Sequence, residues 1–220
     1  MDGLLPLHHL LLRMKHRKKI YAFDFDGTLT RHDSFIAFID FARGRFTLVY
    51  GLVLFLPLII LMKLHLYDNG KCKERLFRFF FHDMDEVYFN DLCKHFARRH
   101  SHIIRAKGMQ RVKQAVREGC EVLIVSASAD NWVRPFFEQA GLTTTGHHPQ
   151  VRVVGTRLEV HGSWLTGHFA SPNCYGPEKV RRIQQLYPYR EEYKLYAYGD
   201  SKGDKEMMDF ADERFFKPFK

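Results

Sequence analysis

Three apolar runs of strand length recur along the chain, and each ends in polar residues. They are KIYAFDFD at 19–26, EVLIVSAS at 121–128 and YKLYAYGD at 193–200. Short apolar runs bounded by turn residues are typical of strands that are buried on both faces. Helical patterns lie between them, so strands and helices alternate. The alternation predicts an α/β fold, with a Rossmann-like parallel sheet and helices on both faces.

The remaining segments carry other patterns. Residues 32–105 are rich in Phe, Leu, Arg and Lys and lack strand alternation, which predicts a helical insertion. Residues 151–169 alternate well enough for a strand or hairpin, and 213–219 predict a last short strand. Further helices are predicted at 108–120, 130–142, 176–188 and 201–211. The predicted parts are a basic tail (1–18), an α/β core (19–31 and 106–220) and an inserted helical cap (32–105).

Polar side chains follow each of the three apolar strands. Asp24 and Asp26 end the first, Ser126 the second and Asp200 the third. Ligands of open parallel sheets bind at the carboxyl ends of the strands, so these residues are expected at one edge. Carboxylates at the end of a buried strand are costly unless cations compensate them. The pattern therefore predicts a site that holds positive charge.

The net charge of +9 is unevenly distributed. The excess of Lys and Arg falls in residues 1–19 and 43–105, whereas the rest of the chain is balanced. Basic segments without a nucleic-acid motif favour an anionic surface or anionic substrates, and a generally basic solvated surface is the alternative. No nucleic-acid partner is expected.

The four cysteines are widely scattered, without the paired spacing of a metal site. The apolar part of the N-terminal tail precedes its charges, which is the reverse of a secretory signal. These features favour a reduced, cytoplasmic setting. The thirteen histidines include pairs at 8–9 and 147–148, which fall in a predicted tail and loop and are not expected to bind metal.

Residues 46–62 form the longest apolar run, seventeen residues without a charge. This length is at the lower limit for crossing a membrane. A single crossing would separate the acidic residues of the first strand from the polar residues of the later strands, so it is excluded. Gly51 and Pro57 break the run. It is either a buried helix pair or, slightly favoured, an interfacial or re-entrant hairpin on the cytoplasmic face of the inner membrane.

Four motifs occur in a fixed order. They are DFDGT at 24–28, VSAS at 125–128, Lys179 within GPEKV and YGDSKGDKEM at 198–207. In this order they resemble the motifs of the haloacid dehalogenase superfamily of hydrolases. The layout is most similar to its phosphoserine-phosphatase-like subfamily IB, in which a helical cap lies between the first two motifs. The resemblance covers residues 20 to 217.

The resemblance implies a role for each motif residue. Asp24 is the expected nucleophile, which forms an aspartyl-phosphate, and Asp26 the expected acid and base. The dehalogenases of the superfamily lack the second aspartate, so Asp26 favours phosphate chemistry. Lys179 is expected to neutralise charge. The implied phosphate-binding residues are Ser126, Ala127 and Thr28, and the implied Mg²⁺ ligands are Asp24, the Asp26 carbonyl and Asp200, supported by Asp204.

The expected activity is hydrolysis of a phosphate monoester with Mg²⁺ as cofactor. An apolar cap segment with basic flanks also resembles bacterial phosphatidylglycerophosphatases of the C type, which favours a lipid or amphiphilic phosphate such as phosphatidylglycerophosphate. The alternative is a phosphoserine-phosphatase-like enzyme that acts on a small phosphorylated metabolite. Asp33 and Arg75 resemble the substrate-reading residues of that subfamily. Asp33 could equally be the N-cap of a helix, and Arg75 could belong to a solvated face.

Overall fold

The computed structural model describes residues 17–220, so all but the last two residues of the predicted basic tail lie outside the description. A parallel sheet forms its centre, with the strand order β3-β2-β1-β6-β7. Its strands are β1 (Lys18–Phe23), β2 (Glu121–Ala129), β3 (Arg152–Thr156), β6 (Tyr193–Gly199) and β7 (Glu213–Phe216). The three predicted apolar strands form the middle of the sheet. Strands in that position are covered on both faces, which explains their apolar sequence.

Helices cover both faces of this sheet. The α-helices within residues 17–220 are α1 (Ser34–Arg43), α2 (Arg45–Leu54), α3 (Leu56–Lys63), α4 (Asn69–Phe81), α5 (Glu86–Arg99), α6 (Ala106–Arg117), α7 (Asp130–Gln139), α8 (Pro177–Leu186) and α9 (Lys205–Phe210). Successive residues of β1 alternate between two cores. Tyr21 and Phe23 join the core that contains α6 and α7, whereas Ile20 and Ala22 join the core that contains α8 and α9. The predicted two-sided α/β fold is confirmed.

The register of the central strands brings their carboxyl ends to one edge. Phe23, the last residue of β1, lies beside Ile124 of β2 and Tyr198 of β6. The residues that follow each of these positions therefore meet at the same edge. The polar ends of the three strands are neighbours for this reason.

Five helices, α1–α5, lie between β1 and β2, as the composition of this region predicts. Aromatic rings form their interior. The Phe38 ring lies 5.3 Å from the rings of both Phe81 and Trp132. Trp132 belongs to α7, and its indole N–H donates to the hydroxyl of Ser34 at 3.1 Å. The inserted helices thus share one core with the sheet.

Residues 151–169 form two structures rather than one. The first part is β3, the edge strand of the main sheet. The second part is a separate antiparallel pair, β4 (Leu158–His161) and β5 (Trp164–Phe169). This pair packs on α4 at Gly167, where an added Cβ would lie 2.6 Å from Arg78 Cγ. The alternating pattern predicted the strands but not their separation into two sheets.

Helices α2 and α3 account for the long apolar run. No single helix within residues 17–220 is long and apolar enough to cross a membrane. By length and composition, α2 and α3 together would be, but they are bent by 63° at residue 55. Only Leu48 and Gly51 are buried in α2, and no residue of α3 is. Of the two alternatives for this run, a fully buried helix pair does not agree with the structure, since much of the apolar surface of the pair is open.

Candidate active site

Asp24 lies immediately after β1 at the carboxyl edge of the sheet. Its backbone N–H donates to the carbonyl of Tyr198 in β6 at 2.9 Å, and the residue is 6% exposed. Lys179, in the first turn of α8, donates from Nζ to Oδ1 of Asp24 and to Oδ1 of Asp204, at 2.6 Å in each case. Lys179 is 1% exposed. One buried ammonium therefore faces two buried carboxylates.

The charges in this cluster are unequally compensated. Burial raises the pKa of Asp24 to about 7, although the nearby Lys179 acts in the opposite direction. Burial also disfavours the charged form of Lys179, but Asp24 and Asp204 outweigh it and hold the pKa of Lys179 above its usual value. The lysine therefore stays protonated. Asp24 needs further positive charge to be fully ionised at neutral pH.

Asp204 holds the loop after β6. Its Oδ2 accepts from the backbone N–H groups of Asp200 at 3.1 Å and Ser201 at 3.0 Å, and from the Ser201 hydroxyl at 3.0 Å. Burial raises the pKa of Asp204, but Lys179 and these hydrogen bonds outweigh burial, so the net pKa is below its usual value. An ionised Asp204 fixes both Lys179 and the backbone of Asp200.

Asp24, Asp200 and Asp204 form an acidic cluster. Each has a carboxylate oxygen within 4.8 Å of the other two. Gly27 makes this approach possible because a Cβ there would lie 2.5 Å from Asp200 Oδ2 and because its φ is +80°. Lys220 Nζ donates to the same Oδ2 at 2.8 Å, so a cationic group already contacts this carboxylate. An all-oxygen donor set of this kind fits a hard divalent cation such as Mg²⁺.

Asp26 lies two residues after Asp24 and makes different contacts. Its Oδ1 accepts from the backbone N–H of Ser34 at 2.7 Å, and its Oδ2 accepts from the Ser128 hydroxyl at 2.5 Å. Burial, followed by the charge of Asp33, raises the pKa of Asp26 above its usual value. A carboxyl group with a raised pKa is suited to giving and taking a proton near neutral pH.

These observations can be compared with known proteins. A model of the haloacid dehalogenase-like hydrolases matches residues 21–209. The chain belongs to this family. The superfamily that the motifs resemble is thereby confirmed, and the protein is a hydrolase of the haloacid dehalogenase-like family.

Relatives and solved structures agree with this membership. The protein CicA of Caulobacter vibrioides is 30% identical over 213 residues, which cover 94% of this chain and 89% of CicA. A protein of unknown function from Bordetella pertussis Tohama I superposes with a TM-score of 0.72 at 16% identity, over 90% of this chain and 89% of that one. A phosphoserine phosphatase, solved as a phospho-aspartyl intermediate analogue, superposes with a TM-score of 0.56 at 19% identity, over 90% and 85%. The identities of 16% and 19% to the two solved structures are low, so these two likenesses show a shared fold alone.

The acidic residues that the haloacid dehalogenase-like resemblance implies line one cleft of about 810 Å³. Ser126 and Ala127 line the same cleft at the end of β2, and the Ser126 hydroxyl accepts from the N–H of Ser128 at 3.0 Å. The predicted residues that line the cleft are Asp24, Asp26, Asp33, Ser126, Ala127, Lys179, Asp200 and Asp204.

Two predicted residues lie elsewhere. Thr28 is buried and does not line the cleft, and its hydroxyl has no hydrogen-bond partner within residues 17–220. Arg75 also lies outside the cleft, because its guanidinium packs over the ring of Tyr67 at 5.4 Å. Neither side chain reaches the cleft in this structure, so the phosphate role of Thr28 and the substrate role of Arg75 stay predictions without a contact to support them. Asp33 accepts from the N–H of Phe35 as the N-cap of α1 and also lines the cleft, so its substrate role stays open.

Sequence reasoning missed Lys73 on α4. Its Nζ donates to the carbonyl of Ala127 at 2.9 Å and lies 5.2 Å from the centre of the Phe35 ring. It thus joins an inserted helix to the carboxyl end of β2. Leu76 is three residues further along α4 and also lines the cleft, so the helical face shared by the two residues was the available signal.

Proposed function

We propose that this protein is a Mg²⁺-dependent phosphate-monoester hydrolase that works through an aspartyl-phosphate on Asp24. The observation that carries the proposal is the buried ammonium of Lys179, 2.6 Å from Asp24 and from Asp204, at the edge where Asp200 joins them. A carboxylate can attack a negatively charged phosphoryl group only where positive charge neutralises both partners. The family membership supports the same chemistry.

The proposed reaction has two steps. In the first, a carboxylate oxygen of Asp24 attacks phosphorus, the bond from phosphorus to the alcohol oxygen breaks, and Asp26 gives its proton to the departing alcohol. In the second, Asp26 takes a proton from water, the water oxygen attacks phosphorus, and the bond to Asp24 breaks. Inorganic phosphate leaves and both carboxyl groups return to their starting states.

The remaining residues bind and orient. The Ser126 hydroxyl and the backbone N–H of Ala127 are proposed to hold the phosphate oxygens. Asp24, Asp200 and the Asp26 carbonyl are proposed to hold Mg²⁺, with Asp204 fixing Asp200 from behind. When bound, Mg²⁺ would neutralise charge on the carboxylates and on the phosphoryl oxygens. It would also lower the raised pKa of Asp24.

The proposed substrate is a lipid or amphiphilic phosphate. One wall of the cleft is apolar and comes from α2, α3 and α4, through Leu52, Ile59, Met62 and Leu76. The same cleft contains Lys63 and Lys73, so it offers apolar surface next to positive charge. Phosphatidylglycerophosphate combines an acyl region with a phosphate monoester, and it remains the leading specific candidate. Action at the cytoplasmic face of the inner membrane is part of this proposal.

The alternative substrate is a small phosphorylated metabolite. Asp33 favours it, because this carboxylate lines the cleft and could meet an ammonium group such as that of phosphoserine. Arg75 does not support it, since its guanidinium lies over Tyr67 outside the cleft. A substrate carboxylate would therefore have to meet another cation of the cleft, such as Lys73.

Phosphate release from three substrates tests the proposal. The purified protein would be assayed with p-nitrophenyl phosphate, L-phosphoserine and phosphatidylglycerophosphate in mixed micelles, each with Mg²⁺ and with EDTA. We expect Mg²⁺-dependent release from the lipid and from p-nitrophenyl phosphate. Release from L-phosphoserine but not from the lipid would favour the alternative, and no release from any substrate would refute a phosphatase function.

A further inference from the structure

Helices α2 and α3 have two apolar faces that differ in what they contact. The outer face (Phe46, Val49, Val53, Leu56 and Ile60) is open, with Phe46 95% and Val53 64% exposed. Its members recur at three- and four-residue spacing along each helix, as residues on one side of a helix do. The inner face (Leu52, Ile59 and Met62) lines the catalytic cleft. One helix pair thus separates the cleft from an uncovered apolar surface.

The charges around this pair are mainly positive. The sequence contains no Asp or Glu between Asp40 and Asp68, whereas Arg43, Arg45 and Lys63 flank the two helices. Of these three, Arg45 pairs with Asp40 at 2.9 Å. Lys63 makes no ion pair among the described residues, so its charge is available to an anionic surface. An apolar face bordered by cations is the composition of segments that lie in the interface of an anionic bilayer. An apolar face for a protein partner usually has a polar rim that forms direct hydrogen bonds across the interface, and a uniformly cationic border is not a general feature of such faces.

The backbone of the bend is compatible with an apolar surrounding. At the break, the N–H of Phe55 donates to the carbonyl of Gly51 at 3.0 Å, and the N–H of Ile59 donates to the carbonyl of Phe55 at 2.9 Å. The neighbouring Pro57 has no N–H to satisfy. Most bends are excluded from lipid because they leave backbone N–H and C=O groups unpaired. Here these two hydrogen bonds bridge the bend.

The lengths of the helices fix how far they could enter. At about 1.5 Å per residue, α2 and α3 are roughly 15 Å and 12 Å long, which is about half of a hydrocarbon core of roughly 30 Å. A pair bent by 63° therefore fits within one leaflet and does not cross.

We propose that α2–α3 is an interfacial anchor that enters one leaflet of an anionic bilayer by its outer face, while its inner face guides a lipid substrate from that leaflet into the cleft. The second half of this statement rests on the proposed function, whereas the first half does not. In this arrangement the acyl region can stay in the bilayer. Only the phosphate has to reach Asp24.

Vesicle binding tests the outer face. The full chain and its Val53→Asp variant would be sedimented with vesicles of phosphatidylcholine containing phosphatidylglycerol. Val87→Asp on α5 is the matched control, because Val87 is 68% exposed and the substitution changes the net charge by the same amount. We expect Val53→Asp to lower the partition coefficient about tenfold or more, since charge on the buried face of an interfacial helix opposes insertion. Val87→Asp should change it less than about twofold.

Adjacent residues of α3 test the inner face. Ile59 lines the cleft, whereas Ile60 is exposed on the outer face. We expect Ile59→Ser to retain vesicle binding and to lower turnover of the lipid more than turnover of p-nitrophenyl phosphate. Ile60→Ser should weaken vesicle binding and leave p-nitrophenyl phosphate turnover unchanged. Equal effects of the two variants on both readouts would overturn the separate roles of the two faces.

The outcomes also distinguish other occupants of the outer face. Unchanged vesicle binding by Val53→Asp would overturn the anchor and assign any binding to another segment, such as residues 1–16. A change from dimer to monomer in sedimentation velocity would show that a second copy covers this face, and would also overturn it. Loss of vesicle binding by Val53→Asp, in a protein that hydrolyses no phosphate ester, would support the anchor and refute the proposed function instead.

Discussion

The catalytic edge of the sheet and the α2–α3 pair both contain groups in costly positions, which are buried charges at the edge and exposed apolar side chains on the pair. At the edge, the buried carboxylates of Asp24 and Asp204 share the ammonium of Lys179 at 2.6 Å. Along α2–α3, large apolar side chains such as Phe46 and Val53 contact little else in the described protein. The first region places its buried charges against one another within the chain. The second leaves its apolar side chains uncovered within residues 17–220, so the two regions should respond differently to substitution.

The largest effect is expected from Asp26→Asn. This side chain accepts from Ser34 and Ser128, and an amide can keep part of that contact but cannot transfer a proton. We expect turnover to fall by about 10²–10⁴-fold. The loss should be greater for an alkyl phosphate than for p-nitrophenyl phosphate, because p-nitrophenolate departs without a proton. Equal losses on the two substrates in steady-state assays would argue against an acid role.

Removing one lysine from each region sharpens the comparison. Lys179→Met leaves two buried carboxylates without their ammonium, which is expected to lower the free energy of unfolding by about 3–5 kcal/mol. Lys63→Met removes a charge that has no partner among the described residues, so its effect should lie within about 0.5 kcal/mol.

Urea unfolding of the metal-free proteins at pH 8 measures both lysine effects. The loss in Lys179→Met should shrink at pH 5, because Asp24 can then take up a proton. If Lys179→Met and Lys63→Met lost a similar free energy of unfolding, the contacts of Lys179 with Asp24 and Asp204 would contribute no more to stability than the unpaired Lys63.

The pKa of Asp24 predicts a pH-dependent stability. Its value of about 7 in the folded protein exceeds the value of about 4 of an unfolded aspartate. Between these values the folded state binds a proton that the unfolded state does not, so the stability of the metal-free protein decreases as the pH rises. Burial also raises the pKa of Asp26, so the titration of Asp26 changes the stability in the same direction. If Mg²⁺ is held by the ionised carboxylates, as proposed, it should reverse the decrease.

Thermal unfolding between pH 5 and pH 8 tests this sign. In EDTA, we expect the Tm of the wild type to fall relative to that of Asp24→Asn by about 5 °C. Mg²⁺ should raise the wild-type Tm more at pH 8 than at pH 5. Parallel profiles for the two proteins would contradict the raised pKa of Asp24.

The smallest effect concerns two basic residues of α4. Lys73 contacts the carbonyl of Ala127 in the cleft, whereas Arg75 packs over Tyr67 outside it. We expect Lys73→Ala to raise KM about tenfold or more, since a charged hydrogen bond in the cleft is worth roughly 1.5 kcal/mol or more. Arg75→Ala should change KM less than about twofold. Steady-state kinetics in which Arg75→Ala has the larger effect would restore the sequence-based assignment.

Much of the catalytic edge could be predicted because its signals are local. Asp24 and Asp200 each end an apolar strand, and the parallel arrangement of those strands suffices to bring them together. The family motifs then identified Lys179, whose partner Asp24 lies 155 residues away. These residues were predictable since strand periodicity and motif order both lie in the sequence.

Contacts between the inserted helices and the core were not predictable in the same way. Lys73 and Arg75 are two residues apart on α4, so they point to nearly opposite sides of the helix. Only the packing of α4 decides which of them enters the cleft. The place of Thr28 could not be predicted for a related reason, because the turn after β1 directs it into the protein interior. The open outer face of α2–α3 also depends on packing, which the uniformly apolar sequence did not reveal.

The most direct test of the account is to capture the phosphoryl group on the enzyme. The protein would be mixed with p-nitrophenyl phosphate and Mg²⁺, quenched in acid within milliseconds, digested and analysed by mass spectrometry. We predict a phosphorylated peptide that contains residues 21–30, with the modification on Asp24 and no such peptide from Asp24→Asn. Turnover at an undiminished rate by Asp24→Asn, or a phosphoryl group on another residue, would contradict the central claim.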